Sequence, residues 1–347
     1  MRISIYEKCR NCKCFCISLT SDGIDETIVV YLKIFLLQDL RGVLLVRLGK
    51  YKNIVIVVLL IVVCVFGRMH ILKKSTPVAS IRVDEMTPLS LELVYRGEKP
   101  AGVGSVQSMA IVGDYFVIAA RPTGPKEFGG ETNNQLIIVD RETLRDVTDE
   151  HLRINATFEL GHANGMTYDS LRNRLAVVGI HNDNNEYDGL ALVNASYYFE
   201  YGQRCLPCFG NGIAYNAEAD EYYLRDDDTI RVLDGQLHEV LDEAVVVTDL
   251  TNQDICYHDG RLYLVNWAYY RCDARAVGVR TNENVIYQVD VRNNYAVRAF
   301  VVREPRQEME SIDFADDGEA YVLFNGGGRE RGYFLIYRVV FEERDLE

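Results

Sequence analysis

The sequence lacks the short motifs that identify several common classes of enzyme. It contains no nucleophile elbow of the Ser-His-Asp hydrolases, no Gly-rich phosphate loop and no dinucleotide-binding fingerprint. Beyond one apolar stretch near the N-terminus, it also shows no convincing amphipathic helix of useful length and, after about residue 85, no linker. These absences leave no motif from which a reaction can be assigned, and they indicate one globular domain behind an N-terminal leader.

Positive charge is scarce in the larger part of the chain. The 347 residues include 37 Lys and Arg against 51 Asp and Glu, a net charge of −14. Residues 1–79 hold 12 basic and 5 acidic residues, so residues 80–347 carry a net charge of −21. A domain this acidic repels a phosphate backbone, which argues against nucleic acid as a partner. The charge fits a solvated domain outside the cytoplasm, one that concentrates cations, or simple solubility.

An apolar stretch near the N-terminus is the strongest signal for a membrane. Ile54–Gly67 contains 14 residues without a charge, and Met69–Leu72 extends it to 19 residues if the side chain of Arg68 snorkels. The stretch is either a short signal anchor or the apolar region of a cleaved signal peptide, and the lack of a good cleavage site favours the anchor. Three basic residues precede the stretch and three follow it, so their distribution does not determine the orientation of the segment. A large acidic domain after a short N-terminal apolar stretch is the usual arrangement of an exported domain. We therefore expect a single-pass membrane protein with its main domain outside the cytoplasm.

One short phrase occurs five times in the remainder of the chain. Each copy holds a polar residue, then a small or acidic one, then Met or Ile, then a β-former two positions further on. The copies are Val106–Ile111 (VQSMAI), Ala163–Tyr168 (ANGMTY), Gly210–Tyr215 (GNGIAY), Asn252–Tyr257 (NQDICY) and Met309–Phe314 (MESIDF). Their polar residues are spaced 57, 47, 42 and 57 positions apart. Self-similarity with a period of about 40–50 residues is typical of propeller blades.

The residues around each copy also follow a β pattern. A turn rich in Asp, Asn or Gly comes after every copy, followed by a second apolar run. Leu91–Tyr95 is strand-like but precedes the first copy, and we expect it to pair with Tyr333–Val340 and close the ring. The sequence thus predicts an all-β fold, a five-bladed β-propeller behind an N-terminal transmembrane helix. The expected divisions are an N-terminal tail at 1–52, a transmembrane signal anchor at 53–72, a linker at 73–87 and the propeller at 88–347.

The polar residues of the phrase are candidates for a ligand site. If each phrase is the innermost strand of a blade, its polar residue lies at one end of the central channel. These residues are Gln107, Asn164, Asn211, Gln253 and Glu310. Such an oxygen-rich ring suits Ca²⁺ or another divalent cation. The alternatives are that the ring satisfies only backbone groups and ordered water, or that it acts directly in catalysis.

Strand direction places the loops between second and third strands at the same end of the propeller. The residues that begin these loops are Arg121, His181, Arg225, Trp267 and Asn325. Trp267 is the only tryptophan, and Tyr269 and Tyr270 follow it. Aromatic rings beside amides and an arginine suit sugar stacking or a peptide-binding surface. The alternative is that the rings only pack this loop onto its neighbour.

The segments NGMTYD and NGIAYN, each followed by a turn and an apolar strand, resemble inner strands of the SMP-30/gluconolactonase-like propellers. The resemblance covers the repeats and implies a calcium-dependent lactonase or phosphotriesterase-like enzyme. It implies Asn164 and Asn211 as metal ligands, with Glu310 matching in type although it stands in the last blade instead of the first. Where the family has a metal-binding Asp, this chain has Gln253, and its nearest acid, Asp254, is the next residue along the chain. The family also has six blades where five phrases occur here.

Two classes of function follow from these observations. One is a membrane-anchored propeller that binds a glycan or a protein through its loop face. The other is a divalent-metal-dependent hydrolase of the lactonase or phosphotriesterase-like type, with Asn164, Asn211 and Glu310 as candidate metal ligands. The single carboxylate of the ring favours the binding module, because enzymes of the lactonase type need more than one.

Overall fold

The computed structural model describes residues 2–7, 15–20, 83–100, 102–122, 134–151, 162–179, 189–198, 200–205, 210–226, 229–245, 250–290, 296–326 and 332–341. The chain divides into two compact units, Met1–Phe66 and Gly67–Glu347. In the first, β1 (Arg2–Glu7) and β2 (Phe15–Thr20) form an antiparallel pair. The expected membrane anchor at 53–72 lies outside the described residues. None of the helices in the described ranges has the length and apolar character needed to cross a membrane.

The second unit consists of five β-sheets that follow one another along the chain and are antiparallel except where β3 joins one of them. Two strands come before them, β3 (Thr87–Pro88) and β4 (Ser90–Glu98). The first two sheets contain β5 (Val103–Val112), β6 (Tyr115–Pro122), β7 (Gln135–Asp140), β8 (Arg145–Asp146), β9 (Gly165–Asp169), β10 (Arg174–Val178), β11 (Gly189–Asn194) and β12 (Glu200–Cys205). The other three contain β13 (Gly212–Asn216), β14 (Glu221–Asp226), β15 (Thr229–Asp234), β16 (Glu239–Val245), β17 (Thr251–His258), β18 (Arg261–Trp267), β19 (Asn284–Asp290), β20 (Ala296–Val302), β21 (Glu308–Phe314), β22 (Ala320–Gly326) and β23 (Tyr333–Val340).

The five sheets are the blades of a β-propeller. The first strand of each sheet contacts the first strands of the sheets on either side, and β21 contacts β5, so these strands form a closed inner ring. Each inner strand contains one copy of the repeated phrase or most of it. The structure therefore confirms an all-β fold with five blades.

Strand β4 closes the ring as the sequence predicts. It pairs antiparallel with β23, with Leu91 opposite Val339 and Tyr95 opposite Ile336. The preceding strand β3 pairs in parallel with β20 of the fourth blade, and Met86 is buried between the third and fourth blades. The N-terminal end of the propeller thus contributes a strand to each of two blades. This closure leaves no free edge on β23 in the fifth blade.

Alternation within each strand builds the core. In β6, Phe116 and Ile118 pack against the fifth blade, whereas Val117 and Ala119 pack against the second. Successive side chains of a strand point to opposite faces, and both faces of a blade are covered by neighbouring blades. Apolar runs such as YFVIAA follow from this double burial. One apolar cluster lies at each of the five blade–blade interfaces.

Glycine allows the inner strands to approach one another at the axis. A Cβ atom on Gly165 would lie 2.6 Å from the Cα of Gly212, and one on Gly212 would lie 2.7 Å from the backbone nitrogen of Ile255. Both distances are shorter than van der Waals contact. The glycines of NGMTYD and NGIAYN are therefore required by the narrow channel between β9, β13 and β17.

Two short helices lie between strands. The helical turn α1 (Thr148–His151) follows β8, and α2 (Arg271–Val277) lies in the long connection between β18 and β19. The sequence pattern predicts a loop in the region of α2, so this helix is a difference from the expectation. The helix ends at Gly278, whose φ of 89° is accessible to glycine without strain.

Candidate functional site

The five polar residues of the phrase lie at the same end of the inner strands, which we call the channel mouth. Asn164 and Asn211 directly precede β9 and β13. Gln107, Gln253 and Glu310 lie at register shifts in β5, β17 and β21. Because a β-bulge locally redirects a side chain, the bulges explain how residues in the middle of a strand face the channel.

Glu310 is the most buried acid at the mouth. Only 1% of it is exposed. Burial raises its pKa well above the usual range, and the nearby charge of Glu308 raises it further. A hydrogen bond from Asn325 and the charges of Lys99 and Arg121 partly offset these effects. Glu310 is thus a carboxyl group that changes charge at a higher pH than an exposed glutamate.

Glu308 is a second carboxylate at the mouth, and it belongs to a short chain of hydrogen bonds. Asn164 Nδ2 donates to Gln253 Oε1 at 3.4 Å, and Gln253 Nε2 donates to Glu308 Oε1 at 2.6 Å. Burial raises the pKa of Glu308, and the bond from Gln253 opposes that shift. Glu308 is not predicted by the repeated phrase. Its position two residues before Glu310 was the available signal, because residues i and i+2 of a regular strand share a face.

Three oxygen acceptors at the mouth have no hydrogen-bond donor among the described residues: Asn164 Oδ1, Glu310 Oε1 and Asn325 Oδ1. Asn164 is 4% exposed and Glu310 is 1% exposed, so neither atom is freely solvated. An acceptor buried without a partner costs about 1–3 kcal/mol. The mouth therefore presents a set of acceptors suited to a group that brings its own donors.

Gln107 does not belong to this acceptor set. Its Nε2 donates to Ser105 Oγ at 2.9 Å and to the carbonyl oxygen of Val106 at 2.8 Å, so the amide is bound to its own strand. Asn211 is only partly buried, and its backbone N–H donates to the carbonyl of Arg225 at 2.8 Å. Of the five amides and acids expected at the mouth, Asn164 and Gln253 are linked directly to each other, and Glu310 is held instead by Asn325.

Arg225 lies inside the propeller and not on the loop face. It is 1% exposed, and its guanidinium donates to Asn266 Oδ1 at 2.7 Å, to the carbonyl of Val265 at 3.0 Å and to Asn252 Oδ1. These acceptors belong to the fourth blade, whereas Arg225 belongs to β14 of the third. The residue therefore clamps two blades together beside the mouth, which is a structural role.

Three basic side chains lie at or near the mouth. Arg121, at the end of β6, is exposed. Burial and the charge of Arg121 lower the pKa of His162 to about 4, so this imidazole is neutral at pH 7. Lys99, which the sequence analysis missed, is partly buried and lies close enough to Glu310 for each to affect the other's pKa. His181 lies outside the described residues.

An aromatic group lies at the same end of the fourth blade. The rings of Trp267 and Tyr269 are 4.7 Å apart between centroids, and those of Tyr269 and Tyr270 are 4.8 Å apart. Tyr269 is 50% exposed and Tyr270 is 56% exposed. Trp267 pairs with Thr251 of the inner strand β17. Thr251 is two residues before Gln253, so the pairing places Trp267 close to the mouth. The pattern NWAYYR thus produces a solvent-facing aromatic surface beside the mouth.

A separate layer of polar residues ties the inner strands together deeper in the channel. The carboxylate of Asp254 accepts backbone N–H bonds from Ile213 at 3.3 Å and Met166 at 3.4 Å, which belong to two other blades. Asp313 Oδ2 accepts from the N–H of Ile111 at 2.7 Å. Inner strands leave such N–H groups without a sheet partner, so these acids have a structural role.

The mouth fits a divalent cation only in part. Asn164 Oδ1, Glu310 Oε1 and Asn325 Oδ1 are oxygen atoms of the type that Ca²⁺ prefers, but only one is a carboxylate. Glu308 Oε1 already accepts a bond from Gln253. Across the described ranges, no group of three or more His, Cys, Asp or Glu side chains is arranged to hold a metal. This donor set is poor for a hard cation.

No protein-family model and no curated protein matches the chain. Among solved structures, it is similar to the tail fiber of Staphylococcus aureus phage P68, with 12% identity over 74% of this chain and 54% of that chain, at a TM-score of 0.46. It is also similar to a mutant of the GH43 protein BlXynB from Bacillus licheniformis, with 9% identity over 72% and 56% of the two chains, at a TM-score of 0.44. Hydrazine synthase from Kuenenia stuttgartiensis matches with 12% identity over 65% and 57%, at a TM-score of 0.38. The chain thus spans little more than half the length of these three chains, and its blade count rests on its own strand topology.

Proposed function

We propose that the protein is a membrane-anchored β-propeller that binds a glycan at the channel mouth. The observation that carries this proposal is the set of buried acceptors without donors, Asn164 Oδ1, Glu310 Oε1 and Asn325 Oδ1. Sugar hydroxyl groups supply donors to such atoms and accept hydrogen bonds in return. Ligand sites in proteins typically combine a few convergent polar groups of this kind with aromatic surface.

The aromatic surface of the fourth blade supports a sugar more than an ion. Tyr269 and Tyr270 are about half exposed and stand beside the mouth through Trp267. The face of a sugar ring is apolar and stacks on aromatic rings, while its edge carries the hydroxyl groups. A glycan can therefore contact the aromatic surface and the acceptor set at the same time.

A glycan array probed with the full-length protein in detergent tests this proposal. We expect binding to a subset of glycans, and we expect Asn325→Ala to weaken that binding at least about 10-fold because it removes an acceptor and the donor to Glu310. Glu150→Gln is the matched control, since Glu150 is an exposed partner of Arg145 away from the mouth. An array without any bound glycan, together with capture of a protein ligand that Asn325→Ala does not affect, would refute the proposal.

A divalent-metal-dependent hydrolase is the second candidate. Its support is that Asn164 and Glu310, two residues implied as metal ligands by the resemblance to lactonases, each keep one buried oxygen without a donor in the described part of the chain. If a cation binds there, EDTA should lower the melting temperature of the wild type and leave Glu310→Gln unchanged. Equal melting curves with and without EDTA would remove this candidate.

The membrane anchor and the orientation are also part of the proposal. The apolar stretch at 53–72 supports an anchor, and the net charge of −21 on residues 80–347 supports a position outside the cytoplasm. We expect the protein to remain in membranes during carbonate extraction and protease added to intact cells to digest the propeller. Release by carbonate would contradict the anchor, and full protection from protease would contradict the orientation.

A further inference from the structure

Lysine is almost absent from the propeller. Of the 25 basic residues at positions 80–347, 23 are arginine, and only Lys99 and Lys126 are lysine. Arginine presents a planar fork of five N–H donors, whereas lysine presents a compact charge at the end of a flexible chain. Lys99 lies between the closing strand β4 and the first inner strand β5. This rare side chain is therefore found at the point where the ring closes.

The fold holds Lys99 at the channel mouth. Its backbone N–H donates to the carbonyl of Gly332 at 3.1 Å. A Cβ atom on Gly332 would lie 2.6 Å from Cδ and 2.7 Å from Nζ of Lys99, so the side chain runs directly over this glycine. The ammonium group donates to the carbonyl of Gly104 at 3.3 Å. The stem is thus packed on the fifth blade and the charge is fixed beside the first.

Lys99 and Glu310 lie near each other without a direct contact. Their charges influence each other, yet no ion pair or hydrogen bond joins them in the part of the chain that the structure describes. The carbonyl of Gly104 is the one acceptor that the described residues provide for the ammonium, which has three N–H groups. The acceptors Glu310 Oε1 and Asn325 Oδ1 at the mouth have no donor among the described residues. A ligand at the mouth can therefore contact a cation and hydrogen-bond acceptors at the same time.

We propose that Lys99 is a specificity-determining residue that selects glycans carrying a carboxylate, such as those with hexuronic acid units. A uronic acid has a carboxylate for the ammonium of Lys99 and adjacent hydroxyl groups for Glu310, Asn164 and Asn325. Exposed Arg121 adds a second positive charge at the rim. In a domain with a net charge of −21, two cations close together favour the approach of an anionic ligand to this point. The inference rests on the proposed function and narrows its ligand class.

Titration calorimetry with two matched sugars tests the inference. Methyl β-D-glucuronide and methyl β-D-glucoside differ only at C6, where the first carries a carboxylate. We expect the full-length protein in detergent to bind the glucuronide at least about 10-fold more tightly, as expected for a charged hydrogen bond. Lys99→Gln should bring the ratio close to one, and Arg145→Gln, a change at an exposed and remote cation, should leave it unchanged.

Amine labelling provides a second measurement without any substitution. The glucuronide should slow the reaction of Lys99 with an amine-specific reagent, while Lys126 serves as the internal reference. A glucuronide preference that persists in Lys99→Gln, or equal binding of the two sugars, overturns the inference and leaves glycan binding intact. If neither sugar binds but the array shows other ligands, the inference also fails. Only the absence of any glycan ligand removes the proposed function with it.

Discussion

Asp313 gives the most quantitative prediction, because it is a titratable group in the layer that ties the inner strands together. Burial raises its pKa to about 6 from a usual value of 3.8. Between these two pH values the native state binds one more proton than the unfolded state. The free energy of unfolding must then fall as pH rises, by about 1.4 kcal/mol per pH unit.

The expected loss over this window is at most about 3 kcal/mol, because the window spans about two pH units. Asp313 is only partly buried. Screening by water therefore reduces the loss in the free energy of unfolding. Stability from this group is thus greatest below pH 4, declines to pH 6 and is constant above. The sign is opposite to that of an acid in a salt bridge, whose stabilisation disappears as pH falls.

Asp313→Asn removes the titration and also weakens the hydrogen bonds. Oδ2 accepts from the N–H of Ile111 at 2.7 Å, and Oδ1 accepts from the N–H of Phe314 at 2.9 Å and from the thiol of Cys256 at 3.1 Å. At pH 4 the native carboxyl is protonated and, like the amide, has one strong acceptor oxygen, so we expect the substitution to cost at most about 1 kcal/mol there. At pH 7 the wild type has lost the stability that depends on this proton, so the variant should equal or exceed it in stability.

Urea unfolding between pH 4 and pH 7, followed by the fluorescence of the sole tryptophan Trp267, measures this difference. Asp317→Asn is the matched control, because Asp317 is an exposed carboxylate in the turn after the same strand. A stability difference between Asp313→Asn and wild type that does not change with pH would refute the reasoning.

Three further changes test the fold. Phe116→Ala should destabilise the protein by about 3–5 kcal/mol in urea melts, since this ring is buried between the first and fifth blades; a cost below about 1 kcal/mol would contradict that packing. Gly212→Ala should cost about 1–3 kcal/mol because its Cβ would lie 2.7 Å from Ile255 N, and a neutral effect would show that the channel is wider than described. Deleting Ser90–Glu98 should expose the edge of Tyr333–Val340 and lower the melting temperature of the whole propeller, so an unchanged cooperative melt would contradict closure by this strand.

The blade count could be predicted from the sequence because the causes are local. The phrase repeats wherever an inner strand begins, and the glycines of NGMTYD and NGIAYN occur where the axis leaves no room for a Cβ atom. Two acids that end third strands also stabilise the turns that follow them. Asp140 Oδ1 accepts from Thr143 N at 2.7 Å, and Asp234 Oδ1 accepts from His238 N at 2.9 Å. These turns depend on residues only a few positions apart.

The composition of the mouth could not be predicted in full because ring closure and bulges determine it. Lys99 lies near Glu310 only because the N-terminal strand β4 joins the last blade. Arg225 shares its position in the repeat with Trp267, and only the neighbouring blade's asparagines explain why it turns inward. The bulge of β17 places Asp254 in the channel, where it binds backbone N–H groups of two other blades. None of these contacts has a local signature in the sequence.

A crystal structure of the protein with a glycan identified on the array tests the central claim most directly. The account predicts that the sugar lies at the channel mouth, with hydroxyl groups within hydrogen-bond distance of Asn164 Oδ1, Glu310 Oε1 and Asn325 Oδ1, the acceptors without donors among the described residues. A glycan bound on another surface, with these three atoms occupied only by water, would contradict it.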